Sequence, residues 1–298
     1  MPESRKRLIF GPAGQVWGID CSSLLYRAKA ANLSPITVFA SLIVRMRRAG
    51  VEPLIVFDGK PPAAKGAILE QRRVIRAAAT QKITELTAAA EIAAPIQRAT
   101  LERQILDLQS KAPSVSHSER DDLKRFFYGS GVLFVSALGE ADDLLGVLAR
   151  DGVIQAVVSS DMDMLARGIH RLIVPETQDA SVLTEVQLEP VLRRLGLTVD
   201  QFVTACIYMG SDYTPVTYKT VPAPFAVEKA RTVPLDAIGL GARAALLGIG
   251  QTVDGLLPDQ QKAKWAAGWP VAEVATIEVF RQSEGWPLDW IGPLVRSQ

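Results

Sequence analysis

The chain has 298 residues, 48% of them hydrophobic and 22% charged, which is enough apolar surface for a large core and excludes a disulfide-stapled miniprotein or a disordered chain. A formal net charge of +1 neither favours nor excludes a polyanionic partner. No apolar run approaches the roughly 20 residues needed to span a bilayer, and Ser4-Arg5-Lys6-Arg7 precedes only a short apolar stretch, so an intracellular protein with no membrane partner is expected, nucleus and cytoplasm undistinguished.

Residues 15–20 make the first short apolar run, ending at Asp20, and helical patterns follow at 22–31 and 35–49. Further strand-like runs lie at 53–58, 132–136, 153–160 and 171–176, with a helical stretch at 141–150. This alternation predicts an α/β fold, a mainly parallel sheet with helices on both faces. Cys21 and Cys206 have neither zinc-ligand nor disulfide-framework spacing and read as core thiols in a reducing compartment.

Residues 63–127 interrupt the rhythm. This segment is rich in Ala, Gln, Glu, Arg and Leu, lacks a strand pattern and reads as a helical insertion that Pro95 and Pro113 break into three pieces. Between Lys60 and Gly129 there are 12 Lys and Arg against 8 Asp and Glu, so the rest of the chain carries a net −3. Charge is therefore segregated, as expected if one part grips phosphates and another holds metal ions. Lys65, Arg72 and Arg76 follow one another at helical spacing, which places them on one face as a candidate phosphate clamp.

After Tyr213, Pro215, Pro222, Pro224 and Pro234 mark a loop-rich passage before an Ala- and Gly-rich stretch at 235–250. A boundary there divides 1–213 from a mostly helical 214–298, where Trp265, Trp269, Trp286 and Trp290 are expected to pack a small unit.

The acidic residues concentrate where the predicted strands end. Asp20 closes the first, Asp58 the second, Glu140 and Asp142 open the helix after the third, and Asp161 and Asp163 follow the fourth. One such residue is ordinarily a turn former or helix cap. Several at one sheet edge repel each other unless cations neutralise them, and ligands of open α/β sheets bind at that edge. Oxygen-only donors point to Mg²⁺ or Mn²⁺ rather than zinc. His117 and His170 lie elsewhere and offer no general base.

Four blocks stand out: Gly18-Ile19-Asp20 with Tyr26; Val56-Phe57-Asp58-Gly59-Lys60-Pro61-Pro62 with Lys65 and Arg72; Gly139-Glu140-Ala141-Asp142; and Ser160-Asp161-Met162-Asp163-Met164-Leu165 with Met209-Gly210-Ser211-Asp212-Tyr213. Together they resemble the flap-endonuclease, XPG and phage 5′-nuclease family of structure-specific nucleases. They occur in family order up to about Tyr213. The resemblance implies a PIN-like core with a helical arch over a single strand, and a Mg²⁺- or Mn²⁺-dependent endonuclease or 5′-exonuclease that uses two ions. By motif, Asp20, Asp58, Glu140 and Asp142 would surround the first ion, with Asp161, Asp163 and Asp212 nearer the second. Lys65 and Arg72 would act on the scissile phosphate, while Tyr26, Lys60, Arg73 and Arg76 would contact nucleic acid.

The sequence departs from the family in two places. Asp142 stands where Glu is common, which makes neighbouring Asp143 an alternative ligand. Thr220-Val221-Pro222-Ala223-Pro224 replaces a Gly-Ile-Gly hairpin of the duplex-binding helix-two-turn-helix, and Gly248-Ile249-Gly250 comes too late in the chain to substitute. The expected partner is branched or 5′-ended DNA, with RNA as the alternative, and a catalytically silent scaffold is a third reading. A monomer is expected, and no sliding-clamp motif is found.

Overall fold

In the computed structural model the described residues are 5–7, 14–62, 65–175, 183–214 and 219–266. Seven strands form one sheet: β1 (Arg5–Arg7), β2 (Gln15–Asp20), β3 (Val51–Phe57), β4 (Leu133–Ser136), β5 (Ala156–Val158), β6 (Arg171–Pro175) and β7 (Leu183–Gln187). Their order is β1-β7-β6-β5-β2-β3-β4. The five strands β2 to β6 run parallel, while β7 pairs antiparallel with both β6 and β1.

The two-residue period of a strand sorts its apolar side chains onto opposite faces. Ile19, Ile55, Val158 and Ile173 join one buried cluster, with side chains of α1 (Cys21–Ala30), α2 (Pro35–Arg48) and α5 (His117–Gly129). Leu54, Val56, Val157 and Leu172 join the other, with α6 (Ala141–Arg150), α7 (Asp163–Ala166), α8 (Leu188–Leu195) and α12 (Val253–Leu256). Such two-sided burial explains why these strands read as continuous apolar runs rather than alternating ones. A third apolar cluster joins α9 (Val199–Met209), α10 (Ala223–Thr232) and α11 (Ala237–Leu247), and α13 (Asp259–Ala266) ends the described chain.

Chain order sets where the site can lie. From β2 the chain adds β3 and then β4 on one side, returns through α6 to β5 on the other side of β2, and continues to β6. The crevice beyond the carboxyl ends of β2 and β5 is thus the topological switch point.

The insertion divides as its prolines predict, into α3 (Gly66–Ile92), α4 (Pro95–Lys111) and α5. Its third piece, however, is part of the core. Leu123, Phe126 and Phe127 lie three and four residues apart on one helical face and are fully buried among Phe39 and Phe57. A capping box between Ser116 and Glu119 starts α5, and Glu119 also pairs with Lys29 of α1 at 2.6 Å. Only α3 and α4 therefore project as an arch, packed on each other, and α4 buries none of its residues.

Other expectations need correction. The passage expected to be loop contains α10, because Pro222 occupies its N-cap and Pro224 its first turn, where the missing amide costs no helix hydrogen bond. The run at 153–160 yields only the three residues of β5. Strands β1 and β7 were not expected. Trp269, Trp286 and Trp290 lie outside the described residues, as does the side chain of Trp265. Among the described residues no helix is long and apolar enough to cross a membrane.

Candidate active site

Asp20 ends β2 and is the N-cap of α1, its Oδ1 accepting the Ser23 amide at 3.0 Å. Its Oδ2 accepts the Ser159 hydroxyl at 2.9 Å, just past β5, and the hydroxyls of Ser23 and Ser160 meet at 2.7 Å. These serines stitch together the two strand ends at the switch point. Asp58, just past β3, accepts the Ser22 hydroxyl on Oδ2 and the Ala141 amide on Oδ1 at 2.8 Å, so it fixes the start of α6.

Glycine 59 makes this junction possible. Its amide donates to the Gly139 carbonyl at 2.7 Å, and a Cβ there would lie 2.0 Å from the Ala137 carbonyl oxygen and 2.5 Å from that of Leu138. No side chain fits against rigid backbone at that distance. The close approach delivers Glu140, the N-cap of α6, and Asp142 in its first turn to the same crevice.

Asp161 and Asp163 follow β5, the Asp163 amide donating to Asp161 Oδ1 at 2.8 Å, and Asp212 follows α9. Asp20, Asp58, Glu140, Asp142, Asp161 and Asp212 all line one cavity of about 920 Å³, with Tyr26, Lys65, Arg72 and Arg76. Asp163 lies beside this lining rather than in it. Lys60 and Arg73 do not line the cavity either: Lys60 is exposed, and Arg73 points outward to pair with Glu70 at 3.2 Å. Lys65 is the N-cap of α3 rather than a residue of that helix, and it lines the same cavity as Arg72 and Arg76.

The electrostatics of the floor are strained toward protonation. Burial, and then the neighbouring Asp58 and Asp161, push the Asp20 carboxyl up to about 7 against the Ser23 and Ser159 hydrogen bonds. Burial and Asp20 likewise push Asp142 well above the usual carboxylate range, while Arg167 opposes them. Asp163 is raised by burial of its carboxyl end and by Asp161 and Asp212.

Lys65 neutralises part of the ring. Its Nζ lies 2.9 Å from both Glu140 Oε2 and Asp212 Oδ2, and 5.0 Å from the centre of the Tyr213 ring. Burial alone would lower its pKa, but the two carboxylates outweigh it and hold the ammonium above its ordinary value.

Among the described residues no three Asp, Glu, His or Cys side chains converge, as placed, closely enough to hold a metal ion. The donor chemistry nevertheless fits a hard divalent cation. The set is all oxygen, it is partly buried, its members raise one another's proton affinity, and a lysine is shared by two of the carboxylates.

The same cavity also has a basic lining. Arg27, Arg72, Arg76 and Arg120 line the cavity, and among the described residues none of them forms an ion pair. Arg76 donates to the Tyr26 hydroxyl at 3.3 Å. Residues given no role from the sequence are Ser22, Ser23 and Ser159, which hold the carboxylates, together with Arg167, Arg27, Arg120 and Tyr213, the last named there only as part of a motif. The serines could have been found as hydroxyls within three residues of a strand-end aspartate; a lone arginine carries no such signal.

Residues 13–79 match the XPG N-terminal domain and residues 131–212 the XPG I-region. Flap endonuclease 1 of Chlamydomonas reinhardtii is 30% identical over 256 residues, covering 84% of this chain and 57% of that protein. Flap endonuclease 1-B of Sorghum bicolor is 36% identical over 173 residues, 57% of this chain and 38% of that one. The chain thus spans about half the length of these relatives. Among solved structures, flap endonuclease-1 from Methanococcus jannaschii has a TM-score of 0.59 at 18% identity, covering 97% of this chain and 96% of its own. The catalytic core of Rad2 in complex with DNA substrate has a TM-score of 0.65 at 14% identity, with coverage of 98% and 96%. These two likenesses establish the fold.

Proposed function

The chain belongs to the flap-endonuclease and XPG family, and on that premise we propose that it is a divalent-metal-dependent phosphodiesterase cleaving DNA at flaps, junctions or 5′ ends. The observation that carries this reading is one cavity lined both by carboxylates and by arginines that, among the described residues, form no ion pair. A polyanion lying between them would satisfy both sides, its phosphates taking the arginines and the ions it shares with the floor taking the carboxylates.

Asp20, Asp58, Glu140 and Asp142 would hold one Mg²⁺ or Mn²⁺, and Asp161, Asp163 and Asp212 a second. Bound ions of this kind supply a water of lowered pKa and neutralise charge on the phosphate. Lys65 and Arg72 line the cavity and would neutralise charge on the non-bridging oxygens of a phosphate bound there. Tyr26, whose hydroxyl accepts from Arg76, lines the cavity and would offer its ring for base stacking. Arg27 and Arg120, which line the same cavity, would add further positive charge for a connected strand.

Parallel cleavage of a DNA 5′ flap, a DNA junction and an RNA strand of matching sequence, in Mg²⁺ with an EDTA control, tests the reading. Faster, Mg²⁺-dependent incision of a DNA form supports it. Preferential cleavage of RNA would shift the assignment to an RNA-cleaving enzyme, and no cleavage together with no ion binding would leave a scaffold.

A further inference from the structure

Arg167, the residue just past α7, is 9% exposed and sits behind the carboxylate ring. Its Nη1 lies 2.5 Å from Asp143 Oδ1 and donates to the Leu246 carbonyl, near the end of α11, at 3.1 Å. Its Nη2 donates to the Tyr213 hydroxyl at 2.7 Å, and the Tyr213 hydroxyl donates to Glu140 Oε2 at 2.9 Å. The direction of this chain is forced, because a guanidinium can only donate, so the phenol oxygen accepts from it and its single proton is left for Glu140.

The same guanidinium separates two consecutive carboxylates. Asp142 and Asp143 both lie in the first turn of α6, about 100° apart around the helix. Asp143 is held by Arg167 and lies outside the cavity lining, while Asp142 lines the cavity. We propose that Arg167 is a positioning residue of the ion site: it aims Glu140 through Tyr213 and withdraws Asp143, so that Asp142 is the carboxylate presented to the ions. This rests on reading the floor as a divalent-ion site. It also ties the end of α11 to the floor, so that packing of the helical region after Tyr213 bears on ion affinity. A buried arginine serving only to fill space would need neither the hydroxyl relay nor the choice between adjacent aspartates.

The test is Mn²⁺ binding to the full chain by calorimetry, with wild type, Arg167→Met, Arg167→Lys, Tyr213→Phe and the Met/Phe double variant, each checked for folding by thermal melting in EDTA. Arg167→Met and Tyr213→Phe should each weaken Mn²⁺ binding by roughly ten- to a hundredfold, the range seen when partners behind metal ligands are removed. The double variant should fall less than the product of the two, because both act through Glu140. Arg167→Lys should recover part of the loss, since the ammonium keeps the charge but lacks the planar fork that serves Asp143, Tyr213 and Leu246 together. Folded variants that bind Mn²⁺ within about twofold of wild type, or fully additive losses, would overturn the proposal. Should Arg167→Met fail to fold, Tyr213→Phe and Arg167→Lys decide by the same thresholds. A wild type whose Mn²⁺ binding is absent, or unaffected by Asp161→Ala, overturns the ion-site reading itself and the proposal with it; intact wild-type binding with unchanged variants overturns the proposal alone.

Discussion

The Lys65 ammonium lies 2.9 Å from the Glu140 carboxylate, in a contact where both side chains are largely withdrawn from solvent. Asp212, its second partner, is 38% exposed. On the proposed function Lys65 would have two uses, as counter-ion to the floor when no ion is bound and as a phosphate ligand when substrate is present.

Lys65→Ala should therefore destabilise the protein in EDTA, by about 1–3 kcal/mol, less than a fully buried pair because Asp212 is partly solvated. Saturating Mg²⁺ should recover much of that loss. Single-turnover cleavage should fall by about a hundredfold or more, while substrate affinity changes little, and Arg72→Ala should show the same split. Denaturant melts with and without Mg²⁺, beside single-turnover rates, check both halves. A pure increase in dissociation constant with an unchanged chemical step would return both residues to a general basic surface.

Gly59→Ala should damage the site without touching a carboxylate. A methyl 2.0 Å from the Ala137 oxygen must push residues 137–139 away and carry Glu140 and Asp142 with them. Loss of cleavage and weakened Mg²⁺ binding in a protein that still melts cooperatively is the expected result. Near-native turnover would mean that the junction between β3 and α6 does not set the carboxylates.

Much of this was legible in the sequence because strand ends in a parallel sheet carry a chemical signature. Asp20 and Asp58 each close an apolar run, and both stand at the crevice. Less local features were not legible. Arg5-Lys6-Arg7 has no apolar alternation and becomes β1 only by pairing with β7, whose Glu185 meets Arg171 across the ladder at 2.8 Å. The role of α5 was hidden because Leu123, Phe126 and Phe127 follow directly on the polar start of the helix, so the insertion was read as one projecting unit. Arg167 and Tyr213 gain their partners from α6 and α11, far away in sequence, and Arg73 differs from Arg72 only by the 100° turn that points it outward.

In EDTA the Asp20 carboxyl titrates near 7 in the folded protein, against an ordinary value of 3.8. A carboxyl that holds its proton more tightly when folded stabilises the fold fully at pH values below the unfolded value. That contribution is lost as pH rises through the folded value, so metal-free stability should fall between about pH 4 and pH 7. Thermal melts of wild type and Asp20→Asn at pH 5 and pH 8 in EDTA check this: wild type should lose more stability across that step. Equal losses would show that Asp20 is ionised throughout.

The arch should respond to substrate. Ala90 is buried between α3 and α4, but α4 contributes no buried residue, so little apolar packing holds the pair in place. Binding of a single strand by Arg27, Arg72, Arg76 and Arg120 should give a log–log salt slope of about −3, roughly 0.7 per phosphate neutralised. A flap substrate in Ca²⁺ should protect residues 88–118 from limited proteolysis. Equal cutting with and without substrate would show that the arch is not the substrate gate.

The most direct test of the central claim is single-turnover cleavage of a DNA 5′ flap by Asp161→Ala at saturating Mg²⁺. Asp58→Ala should also abolish cleavage, but Asp58 caps α6 through the Ala141 amide, so its loss mixes folding with chemistry. Asp161 is exposed, and among the described residues its carboxylate accepts only the nearby Asp163 amide. With the fold intact by circular dichroism and melting, the rate should fall by more than the roughly hundredfold that losing an outer partner can cause; cleavage at near wild-type rate would contradict the assignment of this carboxylate floor as the catalytic metal site.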